Sequence, residues 1–152
     1  TLYEPGLRGA LIARWPGRIP AGVVSPQVGY FGDLMATWSE VAGATPPARL
    51  DGVSLAPTLL GRGKQAAPSH LYWEFYEQGV SQALLLDGRW KAIRLRTLTA
   101  PIQLYDLSTD PAEKKNLAAE HPALVARAAE LMTSGRFDNE HWKLAAPPTR
   151  AP

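Results

Sequence analysis

The alternation of apolar and polar residues is clearest between residues 71 and 96. Residues 71–76 alternate between an apolar face and a face of tyrosine and glutamate, which is the period of a β-strand. Apolar runs flank Asp87-Gly88, a dipeptide suited to a two-residue hairpin because both central positions need a positive φ. Residues 102–107 can add another strand. The pattern predicts an antiparallel sheet of about four strands.

After the predicted sheet comes a segment whose apolar residues have helical spacing, and a helix formed there can pack over the sheet. Apolar residues recur at helical intervals between Leu124 and Met132, after a start at His121-Pro122 and before Gly135, which predicts an amphipathic helix. The run Asp110-Pro111-Ala112-Glu113 carries three helix-start signals and predicts a short helix ending near Asn116.

The chain before the sheet has weaker periodicity. Residues 10–13 are short and apolar without alternation, which predicts a strand buried on both faces. Residues 33–41 predict a helix with Asp33 as its N-cap, Gly43 after its end and an apolar stripe of Leu34, Trp38 and Val41. A short helix with Pro57 in its first turn should lie between residues 54 and 61, and the breaker-rich residues 61–69 mark a boundary.

Composition narrows the function classes. The net charge is +2 with scattered basic residues, so we expect no nucleic-acid partner. No apolar run approaches the ~18 residues that cross a bilayer, so we expect no membrane span. Cysteine is absent, which excludes disulfides, a Cys-ligated metal and a thiol nucleophile on this chain. The spacing of His70, His121 and His141 does not make a metal triad. The chain starts at Thr1 inside an apparently structured segment, and we expect a piece of a longer protein.

Five phrases in fixed order resemble the C-terminal end of the sulfatases, members of the alkaline-phosphatase superfamily. They begin with Tyr-Glu-Pro-Gly-Leu-Arg and run through Asp-Gly-Arg-Trp-Lys to Asp-Pro-Ala-Glu. In full they occupy residues 3–8 with 10–17, 31–37 with 41–44, 50–55, 71–79 with 87–91, and 104–107 with 110–118. The strongest likeness is to bacterial arylsulfatases and N-acetylgalactosamine-6-sulfatase-like enzymes. Departures include Pro5 for a family glycine, Ala36 for a proline and Tyr76 where close relatives often carry histidine.

The resemblance implies an α/β fold in three parts. Residues 1–63 would finish the large sulfatase domain, residues 64–136 would form the small subdomain with its antiparallel sheet and helix, and residues 137–152 would be a tail. The first part would lack its neighbouring strands. We therefore expect exposed apolar surface there, covered by an upstream portion of the protein or by a second copy in a homo-oligomer.

The resemblance also implies where the chemistry lies. Family members use a formylglycine, made from the first residue of a Cys/Ser-X-Pro-X-Arg motif, and a calcium ion held by Asp and Asn side chains. The motif does not occur here, and the family's last active-site lysine would fall just before Tyr3. We expect formylglycine and calcium upstream, no catalytic residue or metal ligand on this chain, no turnover by the chain alone, and a periplasmic or secreted location.

Candidate binding residues lie near the first predicted strand. Glu74, Tyr76 and Glu77 would border the mouth of the active site, with His70 as a further substrate contact, although a solvated face is the simpler interpretation of this pattern. Glu4 and Arg8 would form a structural ion pair close to the active site. Two other functions stay open: a phosphonate or phosphodiester hydrolase of the same superfamily, and a non-catalytic binding or assembly module.

Overall fold

The computed structural model describes residues 1–136, so the predicted tail at 137–152 lies outside the described residues. Its elements in chain order are α1 Glu4–Leu7, α2 Asp33–Ala42, α3 Ala56–Leu59, β1 His70–Phe75, β2 Ser81–Leu86, β3 Trp90–Arg94, β4 Gln103–Asp106 and α4 Pro122–Ser134. Two compact units result. Thr1–Arg8 and the chain from Ser69 onward form the sheet unit, and Gly9–Pro68 forms the helical unit.

The four strands form one antiparallel sheet in the order β1-β2-β3-β4. Asp87 and Gly88, between β2 and β3, have φ values of 51° and 68°, the left-handed pair that a tight hairpin turn requires. The predicted four-stranded sheet with a packed helix is confirmed. Its sequential order follows from short connections, which favour pairing of neighbouring strands.

The two faces of the sheet have different covers. On one face, α4 packs Ala128 and Met132 against Leu84 and Leu104. On the other, Leu2 is buried with a second group of strand residues, and Tyr3 and Leu7 pack partly against it. This second cover is the reason that Thr1–Arg8 belongs to the sheet unit.

The structural division differs from the predicted boundary between residues 63 and 64. It falls between Pro68 and Ser69, and it separates Thr1–Arg8 from the residues that follow them in the chain. The cause is the apolar contact of residues 2–7 with the sheet, which is distant in sequence and leaves no local signal. The assignment of each part to a sulfatase domain stays a prediction.

In the helical unit, α2 is held by a buried polar face. The Asp33 carboxylate accepts hydrogen bonds from the backbone N–H of Tyr30 at 2.9 Å and of Val53 at 2.8 Å, and Thr37 Oγ1 accepts one from Leu55 N at 2.8 Å. Gly43 ends the helix in the left-handed conformation, as predicted. The N-cap prediction was wrong, because Gly32 is the cap and Asp33 is the first helical residue.

The apolar stripe predicted on α2 is not its buried face. The buried positions are Asp33, Thr37 and Ser39, whereas Trp38 is 63% exposed. Periodicity identified an apolar face, but this unit covers it only in part: Leu34 and Val41 are half-buried and Trp38 is exposed.

The predicted strand at residues 10–13 is wrong. These residues pair with no strand, and Ile12 is 89% exposed. A strand buried on both faces needs neighbouring strands and covering layers, and residues 10–13 have neither here. Among the described residues, nine of the eleven strongly exposed large apolar side chains lie in the helical unit, which confirms the predicted exposure. They are Leu11, Ile12, Trp15, Val23, Val24, Val28, Phe31, Met35 and Trp38. The homo-oligomer inferred from this surface stays a prediction.

The short helix predicted at 110–116 is also wrong. The Asp110 carboxylate accepts the N–H groups of Lys114 and Lys115, each at 2.8 Å, so it organises a turn. Glu113 has a φ of 53°, which no helix accommodates. Its carboxylate is therefore directed into the sheet unit and does not return to the cap.

Candidate functional site

A largely buried ion cluster lies on the face of the sheet that Thr1–Arg8 covers. The side chain of Lys91 in β3 is 0% exposed, and its Nζ lies 2.7 Å from Glu4 Oε1 and 3.7 Å from Glu113 Oε1. Both carboxylates are shielded, since the side chains of Glu4 and Glu113 are 13% and 1% exposed. We call these three residues the Lys91 cluster.

Further contacts fix the Lys91 cluster in place. The backbone N–H of Glu4 donates to Glu113 Oε2 at 2.6 Å, and Lys91 Nζ lies 5.8 Å from the centroid of the Trp73 ring. Burial raises the pKa of Glu113, and repulsion from Glu4 adds to this, although the Glu4 N–H and the Lys91 charge oppose it. An enclosed group cannot touch a substrate, so the Lys91 cluster is an anchor between chain segments.

The expected Glu4–Arg8 pair is a minor contact. Arg8 Nη1 lies 3.8 Å from Glu4 Oε2 and its side chain is 71% exposed, whereas Lys91 approaches Glu4 to 2.7 Å. Sequence reasoning missed Lys91 and Glu113. The alternation in β3 places Lys91 on the same face as the buried Ile93, and that signal was available.

A second polar group, the Glu74 cluster, lies on the α4 face of the sheet and consists of Tyr72, Glu74, Tyr76, Gln82 and Arg136. The hydroxyls of Tyr72 and Tyr76 each donate to the Glu74 carboxylate, and Arg136 Nε donates to it at 2.8 Å. Gln82 Nε2 donates to the Tyr72 hydroxyl at 2.7 Å. The period of β1 places Tyr72 and Glu74 on one face of the strand, and Tyr76 follows just past its end.

The electrostatics of the Glu74 cluster favour a carboxylate surrounded by donors. Burial opposes ionisation of Glu74, but hydrogen bonds from Tyr72 and Tyr76 together with Arg136 outweigh burial and lower its pKa. The pKa of Tyr72 is raised, chiefly by burial and then by its bond to Glu74. At neutral pH the phenols stay protonated, with their hydrogens donated to Glu74, so the cluster contains no phenolate nucleophile.

The structure brings together two of the four predicted binding residues. Glu74 and Tyr76 share the Glu74 cluster. His70 begins β1, and its Nδ1 lies 3.1 Å from Ser69 Oγ, while Glu77 is exposed beyond the end of the strand. Sequence reasoning missed Gln82 and Arg136 because their approach to Glu74 depends on tertiary packing.

Other polar residues, including two of the histidines considered above, have structural contacts or lie outside the described residues. The Asp106 carboxylate accepts a bidentate pair of hydrogen bonds from Arg89, with Nε–Oδ1 at 2.9 Å and Nη2–Oδ2 at 2.5 Å. This pair lowers the pKa of Asp106 well below its usual range. His121 is the N-cap of α4 and its ring lies against Trp90, 4.8 Å between centroids. His141 lies outside the described residues.

Neither a metal-binding group nor a membrane span is found in the part of the chain that the structure describes. Within residues 1–136 no three His, Asp or Glu side chains converge in a way that could hold an ion. Over the same residues no helix has both the length and the apolar character needed to cross a bilayer.

Comparison with known proteins assigns the family. The family of N-sulphoglucosamine sulphohydrolase C-terminal domains matches residues 1–134. The chain belongs to the sulfatase family. Human arylsulfatase A is 35% identical over 139 residues, covering 77% of this chain and 27% of that protein. N-acetylgalactosamine-6-sulfatase from dog is 40% identical over 94 residues, covering 60% of this chain and 17% of the relative.

Solved structures share the fold of this chain. A putative sulfatase from Bacteroides thetaiotaomicron matches with a TM-score of 0.60 and 27% identity, covering 76% of this chain and 27% of that one. A phosphonate monoester hydrolase from Agrobacterium radiobacter matches with a TM-score of 0.53 and 26% identity, covering 67% of this chain and 23% of that one. This sulfatase chain thus spans about a quarter or less of the length of the relatives it matches.

Proposed function

We propose that this chain is the C-terminal portion of a sulfuric ester hydrolase and has no turnover by itself. The observation that carries the proposal is the sulfatase match over residues 1–134, combined with a sequence that lacks any Cys/Ser-X-Pro-X-Arg motif. The described residues offer no fit for calcium, so we assign calcium and the formylglycine to the upstream portion. No step of the reaction is carried by residues of this chain.

The upstream portion is the partner that the helical unit requires. Its strongly exposed side chains include Ile12, Val24 and Phe31, at 89%, 93% and 90%, and leaving such groups in water forgoes about 1.5–3 kcal/mol for each that could be fully buried. The relatives have roughly three quarters of their length outside the matched part, which is ample chain to cover this surface. Contact with that portion stabilises the helical unit in the intact enzyme.

The Glu74 cluster contributes to substrate binding in this proposal. A sulfated substrate carries negative charge and many hydroxyls, and the cluster combines the Arg136 guanidinium and two phenols with one carboxylate acceptor. Tyr76 lies just past the end of β1 and is the phenol nearest to the exposed Glu77. His70 marks the opposite end of the strand.

The binding role is tested in the intact enzyme by a Tyr76→Phe variant. Loss of one neutral hydrogen bond costs about 0.5–1.5 kcal/mol, so KM for a sulfated substrate should rise about two- to tenfold with kcat unchanged. Tyr105→Phe is the matched control, because it removes a phenol from the opposite face of the sheet. An unchanged KM in Tyr76→Phe and also in Glu74→Gln would remove the cluster from the substrate site.

A second candidate is hydrolysis of a phosphonate monoester. The observation that favours it is the phosphonate monoester hydrolase match, which has a TM-score of 0.53 and 26% identity. The ratio of kcat/KM for an aryl sulfate to that for an aryl phosphonate monoester, measured on the intact protein, decides between them. A ratio well above one supports the sulfatase, and a ratio well below one supports the second candidate.

A further inference from the structure

The Lys91 cluster contains more negative than positive groups. One ammonium faces two carboxylates, and Lys91 and Glu113 are almost completely removed from solvent. We propose that the Lys91 cluster is a pH-sensitive clasp, which holds residues 1–8 on the sheet and loosens them as Glu113 gives up its proton. The proposal holds whether or not the intact protein cleaves sulfate esters.

The clasp joins three distant parts of the chain. Glu4 comes from the segment that covers the sheet, Lys91 from β3, and Glu113 from the loop between β4 and α4. Glu4 is held at two points: its carboxylate by Lys91 Nζ at 2.7 Å and its backbone N–H by Glu113 Oε2 at 2.6 Å. The remaining hold on this segment is the apolar contact of Leu2, with Tyr3 and Leu7, together with the hydrogen bond from the Tyr3 hydroxyl to Gln103 Oε1 at 2.6 Å.

The two carboxylates do not share Lys91 equally. Glu113 Oε1 is buried with no hydrogen-bond partner, and its 3.7 Å separation from Lys91 Nζ is beyond hydrogen-bond reach. When all three groups are ionised, the enclosed site carries one uncompensated negative charge, which is costly in a dry environment. A proton on Glu113 makes the site neutral while its other oxygen still accepts the Glu4 N–H.

The surrounding charges do not supply the missing cation. Arg8 lies on the solvent side of Glu4 at 3.8 Å with its side chain 71% exposed. Tyr3 and Tyr105 both donate to Gln103 Oε1, and the pKa of Tyr105 is raised to about 12, chiefly by burial, so it stays neutral. Asp110 acts on Tyr105 as a further negative charge, and its carboxylate is taken up by the backbone N–H groups of Lys114 and Lys115.

The direction of the pH effect follows from linkage. Burial raises the pKa of Glu113 above its ordinary value of 4.5 in the folded state, so Glu113 binds its proton more tightly when residues 1–8 cover it than when they are released. Protonated Glu113 therefore strengthens the hold on residues 1–8, and this contribution is lost as pH rises through the folded pKa of Glu113. The effect is local, because the α4 face of the sheet has no member of the clasp.

The experiment is amide hydrogen exchange of the full chain by NMR between pH 4 and 8, with each rate divided by its intrinsic rate. Protection of the Glu4 amide and of residues 6–8 should fall about tenfold for each unit by which folding raises the Glu113 pKa, while amides of α4 stay constant. Glu113→Gln keeps an oxygen acceptor for Glu4 N–H and should show protection that does not fall as pH rises. Glu120→Gln, an exposed glutamate paired with Lys115, is the control and should behave as the wild type.

A direct titration makes the test independent of any variant. The ¹³Cδ shift of Glu113 should change at the same pH at which protection of the Glu4 amide is lost. Constant protection of residues 4–8 across the range, or a Glu113 midpoint at or below 4.5, overturns the proposal. Retention of the wild-type pH dependence in Glu113→Gln overturns it as well.

Discussion

Replacing Lys91 with methionine is the sharpest perturbation of the sheet unit. Methionine has similar length and fills the same volume, so little packing is lost, but the ammonium that faces Glu4 and Glu113 disappears. Those carboxylates have side chains 13% and 1% exposed. Removing one partner from a buried ionic group costs about 3–5 kcal/mol, so we expect a loss of that size at pH 7. The loss should be smaller at pH 5, because Glu113 can take up a proton and relieve part of it.

The assay is urea unfolding at pH 7 and pH 5, followed by circular dichroism and by tryptophan fluorescence, since Trp73 lies 5.8 Å from the substituted ammonium. Lys115→Met is the matched control. Lys115 is 70% exposed and pairs with Glu120 at 3.1 Å, and exposed pairs contribute about 0–1 kcal/mol. Unchanged m-values would show that the same surface unfolds in each variant.

A triple variant without buried charges distinguishes the loss of the ion pair from a change in side-chain packing. In Lys91→Met combined with Glu4→Gln and Glu113→Gln, no buried charge remains, so most of the lost stability should return. The reasoning is refuted if Lys91→Met lies within 1 kcal/mol of the wild type, or if the triple variant is as unstable as the single one.

Three further predictions concern packing, the hairpin and a buried amide. Met132→Ala should cost about 2–5 kcal/mol because the side chain is fully buried under α4, whereas Met35→Ala, at a 55% exposed position, should be nearly neutral in urea unfolding. Gly88→Ala should cost about 1–2 kcal/mol because φ is 68°, and Gly9→Ala, whose added Cβ would meet open space, should stay within about 0.5 kcal/mol. Asn116→Ala removes an acceptor shared by Leu104 N and Ala118 N, both at 3.0 Å, and should cost about 1–3 kcal/mol; a smaller loss would mean that water replaces the amide.

Sequence rules predicted the elements whose conformation depends on residues close together in the chain. The alternation of β1 and the Asp87-Gly88 turn predicted the sheet, because strand faces and turn dihedrals depend on neighbouring residues. The helical spacing before Gly135 similarly predicted α4, which runs over Pro122–Ser134. Glu74 and Tyr76 were predicted to lie on one face for the same reason.

The wrong predictions occur where contacts between residues distant in sequence determine the local structure. Asp110 and Glu113 carry helix-start signals, but burial against Lys91 directs Glu113 away from the turn, and the helix does not form. Residues 10–13 have the composition of a buried strand, yet the described chain offers no strand to pair with them. Thr1–Arg8 covers the sheet although the whole helical unit, Gly9–Pro68, lies between the two in the sequence. Periodicity within a segment cannot reveal such a contact.

The most direct test of the central claim is the rate of aryl sulfate hydrolysis by this chain, measured alone and after recombination with the upstream portion of the protein. The chain alone should release sulfate no faster than buffer, and the recombined protein should hydrolyse the ester at an enzymatic rate. Enzymatic sulfate release by the isolated chain would contradict the account, and so would a stable recombined complex without activity.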